Sequence, residues 1–297
     1  MNNQDFSELK GEKEFLAAID SDGCVLNTMN TKHRLCLIPA FIKHFRLEEI
    51  AREAEETWEY VNLFSENRAQ NRFKALSLTL KELGRRADLK RQCFKIPSYE
   101  AIHKWVQKNT GPSQSLLEHD ALQSSSWDLQ LTLSWSKEVE KMADSFFSQY
   151  QVFDYARESL QKLNQRSDCF VVSTSAEKTL HREWEHHRIK KYVKTIVGRE
   201  NGEKAINLVK GAGQKYLKHK CIMIGDSPGD LVAAQTAAFL FYPIFPGQEA
   251  QSWKHFYTEI IDSFWKGEYL VKQQPRLIQE FTAFYSSPPP WELLPNN

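Results

Sequence analysis

Short apolar runs alternate along the chain with longer stretches in which apolar residues recur every three or four positions. The first pattern is typical of buried strands and the second of amphipathic helices. The apolar runs predict five strands, at residues 15–19, 168–172, 195–198, 220–224 and 239–245. The periodic stretches between them predict helices at residues 155–163, 179–187, 202–216 and 229–236. Because alternating strands and helices form parallel sheets, we expect an α/β protein with a doubly wound parallel sheet.

A long segment, residues 27–152, separates the first predicted strand from the others. It is predicted to be almost entirely helical, with breaks at Gly84, Pro97 and the run Asn109-Thr110-Gly111-Pro112. The sequence therefore predicts a discontinuous core, residues 1–26 and 153–297, with an all-helical cap domain, residues 27–152, inserted into it. Residues 247–285 are again predicted to be helical and are rich in aromatic side chains, which more often indicates core packing than a ligand site.

Two carboxylates directly follow the first predicted strand, in the sequence Asp20-Ser21-Asp22-Gly23. Residues two apart at a strand end project to one side, and two like charges so close require a cation or a shared proton. An ordinary acidic turn is the alternative, because Asp and Gly are common turn residues. An EF-hand calcium loop fits less well, since its sixth and twelfth positions would be Val25 and Thr31 instead of Gly and Glu.

A second acidic loop, Gly225-Asp226-Ser227-Pro228-Gly229-Asp230, follows the predicted strand 220–224. Pro228 and Ser227 are suited to a helix start, so an alternative role for Asp226 or Ser227 is to cap that helix. Parallel sheets, however, place ligands at the carboxyl ends of their strands. Two acidic loops at such positions therefore favour a shared site.

These loops and two further signals resemble the four ordered motifs of the haloacid dehalogenase superfamily of phosphatases. The first motif resembles Asp20-Ser21-Asp22-Gly23, the second Ser173, the third Lys204 and the fourth the loop from Gly225 to Asp230. Cys24 departs from the family pattern, which usually has Thr there, and this weakens one local hydrogen bond. The resemblance covers the start and about the second half of the chain. It implies a Rossmann-like core with a helical cap inserted after the first motif.

The resemblance also implies a phosphatase that hydrolyses a small phosphorylated metabolite through an aspartyl phosphate. Asp20 would be the nucleophile, and Asp22 would protonate the leaving oxygen and then activate water. Ser173 would bind the phosphoryl group, together with the backbone amides of Thr174 and Gly23.

The cofactor implied by the resemblance is Mg²⁺. Its predicted ligands are Asp20, Asp22 and Asp226, because Mg²⁺ prefers oxygen ligands. Lys204 would add a second positive charge next to the phosphate, and Asp230 would orient Lys204 or the metal-bound waters.

One stripe in the predicted cap contains two arginines. On a helix, Arg68, Arg72, Leu76, Leu80 and Leu83 lie on one face by their spacing of three and four residues. Because guanidinium groups bind carboxylates and phosphates, Arg68 and Arg72 are candidate substrate-binding residues. The alternative is that their stems pack on the core and their charged ends lie in water.

Charge and composition narrow the range of partners. The 297 residues contain 39 Lys and Arg and 38 Asp and Glu, a net charge of +1, which gives no argument for a nucleic-acid or membrane partner. No run approaches the roughly 20 apolar residues of a membrane span. The N-terminus lacks the basic and apolar regions of a signal peptide, so we expect a cytoplasmic protein.

The cysteines and histidines do not indicate a metal site. The five cysteines show no close pairing, and their odd number argues against a disulfide framework. Residues 181–187 contain three histidines but lack the His-Glu-x-x-His spacing of a helical zinc site, so we interpret them as a solvated helix face.

Several alternative functions are compatible with this fold. A phosphomutase of the same superfamily would share all four motifs. A phosphonate hydrolase resembles a pattern with a small residue at the position of Asp22, and a dehalogenase would not need Asp20 and Asp226 as a metal-binding pair. A non-catalytic metabolite-binding protein is the alternative outside the enzymes, and the complete motif set argues against it.

Overall fold

The computed structural model describes residues 11–293, and a parallel sheet of five strands forms its centre. The strands are β1 Phe15–Ile19, β2 Ser167–Val172, β3 Thr195–Val197, β4 Cys221–Gly225 and β5 Leu240–Pro243. They lie in the order β3-β2-β1-β4-β5. The chain winds outwards from β1 to β3 and then crosses to the other side of β1 for β4 and β5. The predicted α/β class and doubly wound sheet are confirmed.

The strands are continuous apolar runs because both faces of the sheet are covered. Every residue of β1, β2, β4 and β5 is buried. Helices of the same part of the chain follow the strands and supply this cover. They are Ala156–Leu163, Glu177–His186, Lys204–Ala212, Pro228–Ala237, Glu249–His255, Ile261–Trp265, Tyr269–Lys272 and Gln274–Tyr285.

The predicted helix 202–216 differs most from the observed one. It begins at Lys204 and already ends at Ala212, because Gly213 follows with a φ of 52°. This left-handed conformation is available to glycine at little cost and terminates helices. The other three predicted core helices have close counterparts in the structure.

The chain divides into two compact units, which we call the core unit and the cap unit. The core unit contains the sheet, breaks off after Met29 and resumes over Tyr150–Tyr285. The cap unit consists of Asn30–Gln149 and the segment that begins at Ser286. The sequence-based division assigned this last segment to the core.

The helices of the inserted segment pack around a group of aromatic side chains. The ring of Trp58 lies 4.9 Å from Phe41 and 5.9 Å from Trp135. All three side chains are fully buried, so this unit has a hydrophobic core of its own. The helix Thr28–Lys32 crosses from the core unit into this unit. The α-helices that lie wholly within it are Ile38–His44, Ala51–Glu59, Arg72–Arg85, Ala87–Arg91, Glu100–Lys108, Gln114–Gln123 and Trp127–Ser145.

The C-terminal segment joins the cap unit through Trp291. The ring of Trp291 packs edge-on against Tyr60 at 5.4 Å, and the guanidinium of Arg86 lies 4.3 Å above it. The Tyr60 hydroxyl also donates a hydrogen bond to the Ser287 carbonyl, at 3.0 Å. Sequence periodicity does not reveal such contacts, because they join residues more than 200 positions apart.

The predicted arginine stripe is wrong at its first residue. The helix Arg72–Arg85 begins after Asn71, whose side chain accepts a hydrogen bond from the Phe73 N–H at 3.0 Å. Arg68 therefore precedes the helix, in a turn where Ala69 has a φ of 64°. Gly84, predicted as a break, lies within the helix.

The five cysteines are free, and they differ in exposure. Cys93 is exposed, whereas Cys24, Cys36, Cys169 and Cys221 are buried. Burial raises the pKa of Cys36 to about 11 and that of Cys169 and of Cys221 to about 12. Across residues 11–293, every helix is too short or too polar to span a lipid bilayer.

Candidate active site

The register of the sheet brings Asp20 and Asp226 together. Strands β1 and β4 are parallel neighbours, with Ile19 opposite Ile224. Asp20 follows β1, Asp226 follows β4, and the Asp20 N–H donates to the Ile224 carbonyl at 2.9 Å. The two acidic loops thus leave adjacent strand ends.

Asp230 joins these two residues, so that three buried carboxylates form one group. Asp20, Asp226 and Asp230 each offer an oxygen within 4.8 Å of the other two. The ammonium of Lys204 lies 3.1 Å from Asp20 Oδ1 and makes a close ion pair with Asp230 Oδ1. Three carboxylates next to one ammonium leave an excess of buried negative charge.

This excess charge affects the acidity of the group. Burial raises the pKa of Asp20 well above its usual value; Lys204 opposes the shift, while Asp230 and Asp226 add to it. Burial lowers the pKa of Lys204, but Asp20 and Asp230 outweigh that effect, and the pKa lies above its usual value. Lys204 is therefore a fixed positive charge, whereas an ionised Asp20 needs further compensation.

A divalent cation fits this donor set. Mg²⁺ takes oxygen ligands and prefers carboxylates, and the group offers buried carboxylate oxygens in excess of the neighbouring positive charge. Asp20 and Asp226 are the residues best placed to hold it. Both oxygens of Asp230 are already engaged, Oδ1 by Lys204 and Oδ2 by the loop after β4.

Asp22 lies outside this carboxylate group. Its Oδ1 accepts a hydrogen bond from the hydroxyl of Thr28, and its Oδ2 accepts one from the hydroxyl of Ser175. The predicted role of Asp22 as a metal ligand is therefore not supported by the position of its carboxylate. The sequence analysis identified neither hydroxyl. The one indication for Ser175 was its position two residues after Ser173, a predicted phosphate-binding residue.

The loop after β4 is held by a reciprocal helix cap. Ser227 is the N-cap of the helix Pro228–Ala237 and accepts a hydrogen bond from the Asp230 N–H, so Asp226 is not the cap. Asp230 Oδ2 in turn accepts from the N–H groups of Asp226 and Ser227, at 3.2 and 3.0 Å. A Cβ atom on Gly225 would lie 2.4 Å from Asp230 Cβ, so only glycine permits this close approach.

The predicted phosphate-binding residues lie at two neighbouring strand ends. Ser173 follows β2, is 5% exposed and accepts a hydrogen bond from the Ser175 N–H at 3.3 Å. Thr174 next to it is exposed. The Gly23 N–H instead donates to the Leu26 carbonyl at 2.8 Å, within a turn where Gly23 has a φ of 76°. The prediction that the Gly23 amide binds phosphate is not supported, because this turn already uses it.

Two buried tryptophans donate hydrogen bonds to the loop that follows β1. Trp184 Nε1 donates to the Ser21 hydroxyl at 2.9 Å, and Trp253 Nε1 donates to the Cys24 carbonyl at 2.7 Å. The Cys24 thiol lies 3.7 Å from the Ile224 carbonyl, where it makes the weaker bond expected from the departure at this position. The interpretation of residues 181–187 as a solvated face is wrong for Glu183 and Trp184, which are fully buried.

The cap arginines are engaged within the cap unit. Arg72 donates to Glu140 at 2.6 Å and to Gln114 at 3.2 Å. Arg68 is 3% exposed and donates to the Leu63 carbonyl at 2.9 Å. The role of Arg68 and Arg72 in substrate binding stays a prediction.

Comparisons with known proteins point to one family. A family model described as haloacid dehalogenase-like hydrolase matches residues 74–242. No curated protein matches the sequence. Among solved structures, a haloacid dehalogenase-like hydrolase from Streptococcus pneumoniae is 15% identical, with a TM-score of 0.44 over 84% of this chain and 98% of that one.

Two further structures are similar to the chain at comparable levels. A predicted phosphoglycolate phosphatase from Haemophilus somnus is 11% identical, with a TM-score of 0.46 over 77% of this chain and 84% of that one. A conserved haloacid dehalogenase-like protein of unknown function from Agrobacterium tumefaciens is 16% identical, with a TM-score of 0.46 over 91% and 99%.

Proposed function

The chain belongs to the haloacid dehalogenase-like hydrolases, and from that premise we propose that it is a magnesium-dependent phosphatase acting on a small phosphorylated metabolite. The observation that carries the proposal is the buried group of Asp20, Asp226 and Asp230 with Lys204. Excess negative charge at a strand end favours a bound cation, and phosphoryl transfer uses a cation to reduce the repulsion between nucleophile and phosphate.

Each charged residue of the group has a distinct task in this proposal. Asp20 and Asp226 would hold Mg²⁺, which when bound would supply positive charge that reduces the repulsion between the nucleophile and the phosphate. Asp230 would fix the ammonium of Lys204 beside Asp20. Lys204 would then offer a second, pre-oriented positive charge as negative charge develops on the phosphoryl oxygens.

The reaction would proceed in two steps. The Asp20 carboxylate attacks phosphorus, the bond to the leaving oxygen breaks, and Asp22 gives that oxygen its proton. Asp22 then takes a proton from water, which attacks the aspartyl phosphate, releases inorganic phosphate and restores Asp20. The hydroxyls of Thr28 and Ser175 bind one oxygen each of Asp22; one of them would keep the carboxyl in place while the other releases its oxygen for the proton transfers.

Candidate substrate contacts are found in the strand-end loops and, separately, within the cap unit. Ser173 and the Thr174 amide would donate to the phosphoryl oxygens. Arg72 would have to exchange Glu140 for an anionic group of the substrate. Such an exchange is feasible on energetic grounds, because a partly exposed ion pair contributes only about 0–1 kcal/mol.

A substrate panel tests the proposal. Phosphorylated sugars, nucleotides and small acids are incubated with the full-length protein, with and without Mg²⁺, and inorganic phosphate is measured. We expect release from at least one class, dependent on Mg²⁺ and absent in Asp20→Asn.

The same panel distinguishes the alternatives. Isomer formation without phosphate release would identify a phosphomutase. Ligand-induced thermal stabilisation without turnover, in the presence of Mg²⁺, would identify a non-catalytic binding protein.

A further inference from the structure

The C-terminal helix of the core unit ends in a tyrosine that contacts the loop after β4. Tyr285 is the last residue of the helix Gln274–Tyr285, and its hydroxyl donates a hydrogen bond to the Asp226 backbone carbonyl. Its side chain is buried, with ring centroids 5.0 Å from Phe281 and 5.1 Å from Phe284 in edge-on contacts. These ring contacts hold the Tyr285 side chain in place and so determine the position of its hydroxyl.

The backbone of Asp226 is consequently held on both sides. Its N–H donates to Asp230 Oδ2 at 3.2 Å, and its carbonyl accepts from Tyr285. These groups belong to the two peptide planes that flank the Asp226 Cα atom. Because each plane is rigid, restraining both limits φ and ψ, and thereby the direction of the Cα–Cβ bond that carries the carboxylate.

The position of the helix explains how Tyr285 reaches this loop. At the start of the helix, Gln274 accepts a hydrogen bond from the Phe241 N–H in the edge strand β5, at 2.8 Å. Further along, the ring of Phe281 packs 5.4 Å from Phe241. The helix therefore lies against the strand next to β4, and its last residue reaches the loop at the carboxyl end of β4.

We propose that Tyr285 is a positioning residue for Asp226 and makes the C-terminal helix part of the metal site. This inference rests on the proposed function, in which Asp226 is a metal ligand. A carboxylate whose backbone is already restrained loses less conformational freedom when the metal binds. Partners that orient a metal ligand accordingly contribute to metal affinity without touching the metal.

Replacing Tyr285 by Phe tests the proposal, because the change removes one hydroxyl and keeps the ring. We expect Tyr285→Phe to weaken Mg²⁺ binding about 10- to 20-fold, the lower end of the range for residues that orient metal ligands. The dissociation constant is measured by isothermal titration calorimetry on the full-length protein. Turnover should recover as Mg²⁺ approaches saturation, since the bond acts on binding and not on the reacting atoms.

Tyr269→Phe is the matched control. Tyr269 is also a buried tyrosine of the core unit, and its hydroxyl donates to a backbone carbonyl, that of Phe241, at 2.6 Å. Phe241 contacts the C-terminal helix through its N–H and its ring, whereas the Tyr269 hydroxyl binds its carbonyl. We expect both variants to lower the melting temperature and only Tyr285→Phe to change the Mg²⁺ dissociation constant.

The outcomes separate this inference from the proposed function. If the parent protein binds Mg²⁺ and both variants bind it equally well, Tyr285 has only a packing role, and the proposed function stands. If the parent protein shows neither Mg²⁺ binding nor Mg²⁺-dependent turnover, the proposed function fails and the positioning role fails with it.

Discussion

Two buried carboxylate sites lie towards opposite ends of the parallel strands, on the neighbouring strands β1 and β2. Asp20 follows the carboxyl end of β1, whereas Asp168 is the second residue of β2, near the amino end. Asp168 accepts hydrogen bonds from the Tyr216 hydroxyl and from the N–H groups of Glu12 and Lys13, at 2.9 and 3.1 Å for the latter two. The ammonium of Lys194 lies 2.9 Å from its other oxygen.

The two sites differ in the balance of donors and negative charge. Burial raises the pKa of Asp168, but Tyr216, Lys194 and the two N–H groups together outweigh it, and the pKa lies below its usual value. At Asp20 burial dominates, and the pKa lies well above its usual value. A buried carboxylate with enough donors stabilises the fold, whereas one that lacks them is ready for an external cation.

The two sites should differ most in how the loss of the carboxylate affects turnover. We expect Asp20→Asn to reduce phosphatase activity roughly 10⁴-fold or more, the scale of loss when a nucleophile is removed. The metal-free variant should be at least as stable as the parent, because one of three neighbouring negative charges is gone. Initial rates and thermal melting curves check both expectations. Activity within tenfold of the parent would contradict the role of Asp20 as nucleophile.

Asp168→Asn should show the opposite behaviour. Its amide places an NH₂ group among donors and leaves Lys194 without its buried partner, so we expect a loss of about 3 kcal/mol in the free energy of unfolding. Turnover at temperatures where the variant is folded should match that of the parent. Urea unfolding measures the loss. A stable variant with reduced turnover would show that the two sites are not independent.

Several residues of the Asp20 site could be predicted from the sequence. The apolar runs determine the strands, and parallel strands place their carboxyl ends along one edge, so Asp20, Asp226 and Ser173 could be assigned to a common edge. Asp168 also lies in such a run, but nothing in the sequence distinguished it from a strand residue facing solvent. Its donors come from residues 26 to 156 positions away.

The contacts that the sequence did not reveal share one physical cause. Tyr285 binds a backbone carbonyl and Trp184 a serine hydroxyl, and such bonds depend on tertiary packing rather than on local pattern. Arg68 was misplaced for a local reason, since Asn71 is a good N-cap and marks the start of the helix. That signal was present in the sequence.

Replacing the proposed metal ligand Asp226 should reduce the stabilisation of the protein by Mg²⁺. At a Mg²⁺ concentration 100 times its dissociation constant, the parent protein should gain about 2.7 kcal/mol of stability. We expect Asp226→Asn to lose most of this gain while the metal-free variant remains folded. Melting curves with and without Mg²⁺ measure the gain. An undiminished gain would place the metal elsewhere.

The smallest expected effect is the pH dependence of the Asp168 contribution. Because the pKa of Asp168 is lower in the folded protein, its contribution is fully present above the unfolded value of about 3.9 and is lost as pH falls through the folded value. The charged groups nearby are Lys194, which remains protonated throughout, and Glu12, which pairs with Lys194 at 2.6 Å.

The stability difference between the parent and Asp168→Asn should therefore be constant above about pH 5 and shrink below it, by at most about 1.4 kcal/mol per pH unit for one proton. Urea unfolding at several pH values measures this difference. A difference that stays constant down to the acid transition would contradict the lowered pKa of Asp168.

The unequal exposure of the cysteines has a practical consequence for labelling experiments. Thiolates are the reactive form, so the buried thiols with raised pKa values resist alkylation while the protein is folded. Cys93, in the cap unit at a φ of 60°, is the exposed cysteine among residues 11–293. A maleimide dye should attach there without prior mutagenesis. Cys93 is thus a native labelling position in the cap unit. The fluorescence of a dye attached there would report whether that unit responds to substrate.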